Sequence, residues 1–350
     1  MVNTIRIGIV GLGANTRLRH VPGLRACDGV ELVSVCNRRP ESTRAAADEF
    51  GIAKTFGSWQ DLVADQEIDA VVIGTWPNLH CEITVAALQA GKHVLVEARM
   101  ARNAAESHQM LKTSQQHGDL VAQIVPSPFG LRVHQKMKEL LADGYVGDLR
   151  EVVVLGCSAA NANPATPLHW RQSAELSGLN MLAMGILHET LIRWVPDPVR
   201  VLAQTQIFTT QRPPANPGGP VDVGTPDSVH VLTELPGGVR GIYHLSSVIH
   251  HAPPLQIRIF GSDGTLQYMC GADDQLLGGH TDDGELTEIS IPREKEGGWR
   301  VEADFIDAIR GNKPIEFTNF ATGVRYMEFT EAVAQSADSG QAVFLPLTRE

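Results

Sequence analysis

The chain lacks most of the features that would settle its class on their own. Its five cysteines (Cys27, Cys36, Cys81, Cys157, Cys270) are scattered, odd in number and without a Cys-x-x-Cys pair. That pattern argues against a disulfide framework or a thiolate zinc site and fits reduced thiols. No apolar run approaches the ~20 residues of a membrane helix. Basic charge is short: 29 Lys and Arg against 40 Asp and Glu leave a net charge of −11. A nucleic-acid surface needs clustered cations, so none is expected. A His-Glu-x-x-His pair, a Gly-x-Ser-x-Gly elbow, a Walker loop, internal repeats and low-complexity segments are all missing. His250-His251 sits beside Pro253-Pro254 without nearby carboxylates, so no metal is expected. Met1-Val2-Asn3-Thr4 runs straight into a strand, and the expectation is a soluble, cytoplasmic protein without a signal peptide.

What is present is an ordinary globular composition, with 43% apolar and 20% charged residues over 350 positions, enough for roughly two domains. Over residues 1–125 short β-rich runs (Ile5–Val10, Glu31–Cys36, Ala70–Thr75, His93–Glu97, Leu120–Val125) alternate with helical stretches around Leu18–Ala26, Ser42–Phe50, Ser58–Ala64, Leu79–Ala90 and Ala104–His117. Alternation of this kind predicts a doubly wound parallel sheet. Pro126-Ser127-Pro128 reads as the hinge into a second domain, 126–350. There a helix at Leu131–Ala142 precedes longer strands at Leu149–Cys157, Val199–Thr209, Ser228–Leu235, Val239–Val248 and Leu255–Gly261, with hairpin turns at Pro236-Gly237-Gly238 and Ser262-Asp263-Gly264. Helices are expected at Leu179–Trp194, Val301–Ile309 and Ala321–Ser336, and a long loop at Gln211–Pro226. The fold class is therefore α/β, an N-terminal Rossmann domain followed by an α+β domain with a large, mostly antiparallel open sheet.

The first strand runs into Gly11-Leu12-Gly13-Ala14-Asn15. Gly11 permits the tight turn, and Gly13 lets a pyrophosphate approach the backbone. Thr16 stands at the strict third-glycine position, and the turn to His20 is about one residue longer than usual. At the end of the second strand stands Asn37-Arg38-Arg39 in place of the carboxylate that binds ribose hydroxyls in NAD enzymes. With no carboxylate to repel a 2′-phosphate and Arg38 to pair with it, NADP is favoured over the alternative, NAD.

Several segments carry a resemblance: Thr75-Trp76-Pro77-Asn78-Leu79-His80, His93 to Met100, Gly144-Tyr145-Val146-Gly147, His169-Trp170-Arg171, the stretch from Gly178 to Trp194, and Gly261-Ser262-Asp263-Gly264. Together they resemble the glucose–fructose oxidoreductase, inositol dehydrogenase and MocA (Gfo/Idh/MocA) family over almost the whole chain. The resemblance implies an NAD(P)-dependent oxidoreductase acting on a sugar, polyol or related small molecule, and a homodimer or homotetramer built on the open sheet. It also implies a catalytic lysine after Glu97 and an Asp and a His four apart on a second-domain helix. In this chain the lysine position is Ala98, the following proline position is Arg99, the Asp position is Met184, and His188 matches the histidine. The sequence thus nominates His188, Arg99 and Glu97 for catalysis, His188 as acid or base and Arg99 as an oxyanion partner. Gly11, Gly13, Ala14, Asn15, Asn37, Arg38, Thr75, Trp76, Pro77, His80 and Glu97 are nominated for the nucleotide, and His169, Arg171 and Met184 for the substrate. Two alternatives stand beside the net oxidoreductase: a redox-neutral glycosidase, lyase or epimerase with a retained nucleotide, and a non-catalytic nucleotide-binding protein.

Overall fold

Six short strands form the first sheet of the computed structural model, which describes residues 4–271 and 274–348. Met1, Val2 and Asn3, which carry the expectation of no targeting segment, lie outside the described residues. The strands are β1 (Ile5–Val10), β2 (Val30–Cys36), β3 (Lys54–Thr55), β4 (Ala70–Ile73), β5 (His93–Val96) and β6 (Ala122–Ile124), all parallel, in the order β3-β2-β1-β4-β5-β6. Helices α1 (Val21–Arg25), α2 (Pro40–Phe50), α3 (Trp59–Ala64), α4 (Pro77–Gln89) and α5 (Ala104–Gln116) make the crossovers. Covered on both faces, β4 and β5 are almost entirely buried, which is why they read as unbroken apolar runs. Helix starts follow local chemistry: the Ser58 side chain accepts from Asp61 N and that of Asn103 from Glu106 N.

The strand order reverses between β1 and β4, and at such a reversal the connections diverge and leave a crevice at the strands' C-terminal ends. Val10, Ile73 and Val96 lie side by side in register, so Gly11, Gly74 and Glu97 leave the sheet together at that edge. The glycines are required there. A Cβ on Gly11, at φ +84°, would lie 2.7 Å from Thr75 N, and one on Gly74 would lie 2.3 Å from Gly11 O and from Thr16 Oγ1.

Beyond Pro126 come α6 (His134–Ala142), β7 (Leu149–Cys157), α7 (Ala174–Ser177), α8 (Met184–Leu191), β8 (Arg200–Gln206), the small hairpin β9 (Gln211–Arg212) and β10 (Val221–Asp222), β11 (Ser228–Glu234), β12 (Arg240–Ser246), β13 (Gln256–Gly261), β14 (Gly264–Met269), β15 (Gln275–His280) and β16 (Thr287–Glu288). Then come α9 (Val301–Ile309), α10 (Phe320–Ser339) and β17 (Val343–Phe344). Nine strands form one sheet, β16-β15-β14-β13-β7-β12-β11-β8-β17, antiparallel except for β7 beside β12. One face packs Val154, Tyr243, Ile257 and Leu266 with Leu187 and Leu191 of α8 and Phe329 and Val333 of α10. On the other face Leu202, Leu232 and Ile242 line up across three strands and are 41%, 55% and 44% exposed.

Two compact units result: the residues up to Pro126 with Arg300–Val324, and Ser127–Trp299 with the residues from Arg325 on. The segment 300–324, assigned by the sequence to the second domain, thus returns to the first. Ile124 N donates to Thr318 O at 2.9 Å, and α9 packs on α1. The helix expected at Leu179–Trp194 shrinks to α8 because Gly178 and Leu182 take left-handed backbone (φ +65° and +47°) and break its start.

Gly74→Ala is expected to lower stability by about 1–3 kcal/mol through overpacking against Gly11 and Thr16. Gly13→Ala, whose Cβ would meet nothing nearer than Gly74 O at 3.8 Å, should leave it nearly unchanged. Thermal unfolding of the two variants beside the native protein checks this.

Candidate functional site

The glycine turn is tied to its neighbours by side chains as well as backbone. Asn37 Oδ1 accepts from Leu12 N at 2.7 Å, and Asn37 Nδ2 donates to Ser42 O, so Asn37 fastens the turn to the end of β2. Thr16 Oγ1 donates to Gly11 O at 3.3 Å and occupies the space that Gly74 leaves. Gly13 and Ala14 are exposed, Asn15 half-buried, and the space over Gly13 is open. After the turn, Val21 N donates to Thr16 O, five residues back, so Thr16–His20 is a π turn. A π turn carries one more residue than the regular helical turn. One inserted residue rotates the remainder of a helix by about 100°. Leu18 is left 75% exposed, while His20 is fully buried.

Around His20 the structure assembles a constellation that sequence reading missed. Its Nδ1 lies 2.5 Å from Glu302 Oε1 and its Nε2 lies 3.0 Å from Glu97 Oε1. Asn15 Nδ2 donates to the same Glu97 oxygen at 2.5 Å, and Ala98 N donates to Glu97 Oε2. Two carboxylate oxygens facing two ring nitrogens need two protons between them, whether the ring is an imidazolium or one carboxyl is protonated. The cluster therefore holds a net charge of −1. Burial alone would depress His20, but the hydrogen bonds and charges of Glu302 and Glu97 outweigh it and raise its pKa to about 9. Burial would likewise raise Glu97, yet the contacts from His20 and Asn15 hold it below the usual carboxylate range. The Glu302 and His20 side chains are closed off, whereas Glu97 keeps 15% of its side chain exposed. Glu302 lies 282 residues from His20 and no local pattern announces it. The lengthened turn is the one signal that could have drawn attention to His20.

The other expected nucleotide residues divide. Thr75 follows β4 beside Gly11, and its buried Oγ1 has no hydrogen-bond partner among the described residues, as a group awaiting a ligand would. Arg38 is exposed at the end of β2 and is not ion-paired among the described residues. Trp76 is half-buried and Pro77 opens α4. His80 is a correction. It is fully buried, with Nδ1 2.9 Å from Arg99 O and Nε2 3.0 Å from Thr75 O, so it fastens the loops after β4 and β5 to each other instead of facing a nucleotide. Arg99 itself is 5% exposed.

The second unit overturns two further expectations. His188 does not face solvent. It is fully buried, stacked on Phe329 at 3.7 Å between ring centroids, with Nδ1 2.7 Å from Tyr243 Oη. Burial, reinforced by the charge of Arg325, pulls its pKa down to about 3, so the ring is held neutral, and its Nε2 has no hydrogen-bond partner among the described residues. Met184, also fully buried, belongs to the same core and not to a substrate surface. The pair does share one helix face, as its spacing requires, but that face is turned to the core. His169 and Arg171, by contrast, are exposed on a built loop. His169 Nδ1 accepts from Arg171 N, and the Arg171 guanidinium stacks on Trp170 at 4.3 Å. Buried Arg212 braces the preceding stretch through the carbonyls of Asn161, Asn163 and Thr166.

No described helix is long and apolar enough to cross a membrane. Residues 5–124 match the family described as "Oxidoreductase family, NAD-binding Rossmann fold", and residues 134–267 match the "GFO/IDH/MocA C-terminal domain". An uncharacterized oxidoreductase of Rhizobium meliloti is 28% identical over 211 residues, 59% of this chain and 61% of that protein, so the match spans less than two thirds of that relative. Levoglucosan dehydrogenase of Pseudarthrobacter phenanthrenivorans is 23% identical over 350 aligned positions, covering 89% of each chain. The solved structure of a levoglucosan dehydrogenase in complex with NADH and L-sorbose superposes with a TM-score of 0.88 at 22% identity, covering 98% of this chain and 99% of that one, which shows the fold.

His20 also makes stability depend on pH. Its folded pKa of about 9 lies above the ordinary 6.5, so its stabilising contribution is complete below about 6.5 and is lost as the pH rises through about 9. The unfolding midpoint of the native protein should fall between about pH 7 and pH 10, and that of His20→Gln should start lower and fall less. Parallel curves from thermal melts would show that His20 carries no charge.

Proposed function

Because the chain belongs to the Gfo/Idh/MocA oxidoreductase family, we propose that it is an NAD(P)-dependent oxidoreductase acting on a sugar, polyol or related small hydroxy or carbonyl compound. The observation that carries this reading is the meeting of an open glycine turn, an unpartnered Thr75 hydroxyl and the Glu97 carboxylate at one edge of the parallel sheet, on the topological switch point. In this reading the backbone from Gly11 to Asn15 cradles the pyrophosphate, and Thr75, Trp76 and Pro77 line the dinucleotide. When bound, the nicotinamide supplies the hydride donor or acceptor.

The proton chemistry departs from the family pattern. With Ala98 in place of the lysine and His188 buried in the core, Glu97 is the most solvent-accessible of the three residues nominated for catalysis. Its carboxylate accepts hydrogen bonds from hydroxyl groups brought to this edge, and Arg99 stabilises negative charge as it develops. In the second unit, exposed His169 and Arg171 offer contacts to hydroxylated or anionic groups. Arg38 selects NADP, there being no carboxylate at the end of β2 to bind ribose hydroxyls and repel a 2′-phosphate. The apolar row Leu202, Leu232 and Ile242 supports a homodimer or homotetramer through the open sheet face, and the scattered reduced cysteines suit the cytoplasm.

The same loss of proton-handling groups favours, as a second reading, a redox-neutral glycosidase, lyase or epimerase with a retained nucleotide. A panel of sugars and polyols separates the two. Net change in nicotinamide absorbance supports the oxidoreductase, and product without net absorbance change supports the redox-neutral enzyme. Bound nucleotide with no product from any member of the panel contradicts both.

Gly13→Ala is expected to weaken NADPH binding about tenfold or more by filling the phosphate cradle, while Arg38→Asp should lower NADPH affinity at least tenfold and spare NADH. Fluorescence titration with each nucleotide checks both. Leu232→Glu is expected to shift the assembly toward monomer, which light scattering after size exclusion reads directly.

A further inference from the structure

A helix arranged for folding alone would bury Leu18 and expose His20. The π turn at Thr16–His20 does the reverse, leaving the leucine 75% exposed and the histidine fully buried. π turns persist where they serve a site, since they are less favourable than the regular helix. The buried ring then meets two acidic groups from distant parts of the chain: Glu302 from α9 on one nitrogen and Glu97 from the end of β5 on the other. Asn15 of the glycine turn lies 3.4 Å from the same ring nitrogen as Glu97. Helix α1 is shaped for the arrangement, because a Cβ on Gly23 would fall 2.6 Å from Glu302 Oε2.

We propose that His20, backed by Glu302, is a positioning residue for Glu97. It holds that carboxylate ionised and in one orientation, so that Glu97 accepts hydrogen bonds from hydroxyl groups of the nucleotide's ribose at the sheet edge. The proposal rests on the reading of that edge as a nucleotide site. Its chemistry comes from counting protons. As an imidazolium, His20 donates to both carboxylates, and the cluster carries −1. When the ring loses a proton it can donate to one carboxylate only, and the shorter contact, 2.5 Å to Glu302, keeps the hydrogen. Glu97 then loses a charge-assisted donor and the cluster becomes −2, beside the place where two nucleotide phosphates would bind. Both changes weaken binding of an anionic, hydroxyl-bearing ligand.

The test is a fluorescence titration of the full chain with NADH from about pH 7 to pH 10, for the native protein, His20→Gln and Gly23→Ala, with circular dichroism confirming that each is folded. The native Kd should rise about tenfold across the titration of His20, the value of one charge-assisted hydrogen bond. His20→Gln should bind several-fold more weakly at neutral pH and show no further change up to pH 10. Gly23→Ala, which displaces Glu302 without altering any charge, should move the transition to lower pH. A flat native profile, or a folded His20→Gln that keeps the native profile, overturns the proposal. Failure of the native protein to bind NADH or NADPH at neutral pH overturns the nucleotide reading itself, a result distinct from a flat profile.

Discussion

Two carboxylates on opposite sides of one buried ring are both held by hydrogen bonds when that ring supplies a proton to each. His20 meets that condition for Glu97 and Glu302, and much of the first unit is arranged around it. The π turn delivers the ring, Gly23 clears room for Glu302, and α9 returns across 282 residues to close the cluster. Removing one member of such a group leaves an uncompensated buried charge, at a cost of about 3–5 kcal/mol. Replacing the whole cluster with apolar side chains would cost little by comparison, so stability alone does not explain its presence. Its position does: the one partly exposed carboxylate stands at the sheet edge where β1, β4 and β5 end together.

The second unit keeps the family's C-terminal domain while two of its expected site positions lie in the core. The α8 positions that resemble the family's Asp and His are Met184 and His188, and both are built into the core between α8, α10 and the nine-stranded sheet. A neutral, enclosed imidazole on Phe329 is a packing element with one hydrogen bond to Tyr243. Ala98 stands where the family resemblance implies a lysine. The hydrogen bond from Asn15 and the contact with His20 join Glu97, just before the altered motif, to the glycine turn and the π turn after it, two segments that look unrelated in sequence.

The first sheet was legible because its strands are buried on both faces and its turns need glycine. β1 and β7 have the bounds read from the sequence, and Gly11 sits where only a left-handed residue fits. The hairpins at Pro236-Gly237-Gly238 and Ser262-Asp263-Gly264 join β11 to β12 and β13 to β14. Strands β14 to β16 escaped notice, since Gly278-Gly279 in β15 and the two-residue β16 carry little alternation. In the candidate site, residues bound by local chemistry could be read, as with the glycine turn and Asn37. Residues joined only by the fold could not. Nothing near Glu302 marks it as a partner of His20, and spacing could place His188 and Met184 on one helix face without revealing that the face turns inward.

The whole arrangement depends on the charge of His20. Long-range nitrogen–proton correlation spectra of the full chain, labelled with nitrogen-15 in the histidine rings, read that charge directly. Protonated-type signals from both His20 ring nitrogens at about pH 7.5, giving way to a neutral pattern near pH 9, are the predicted result. A single unprotonated, pyridine-like nitrogen on His20 at about pH 7.5 would contradict it.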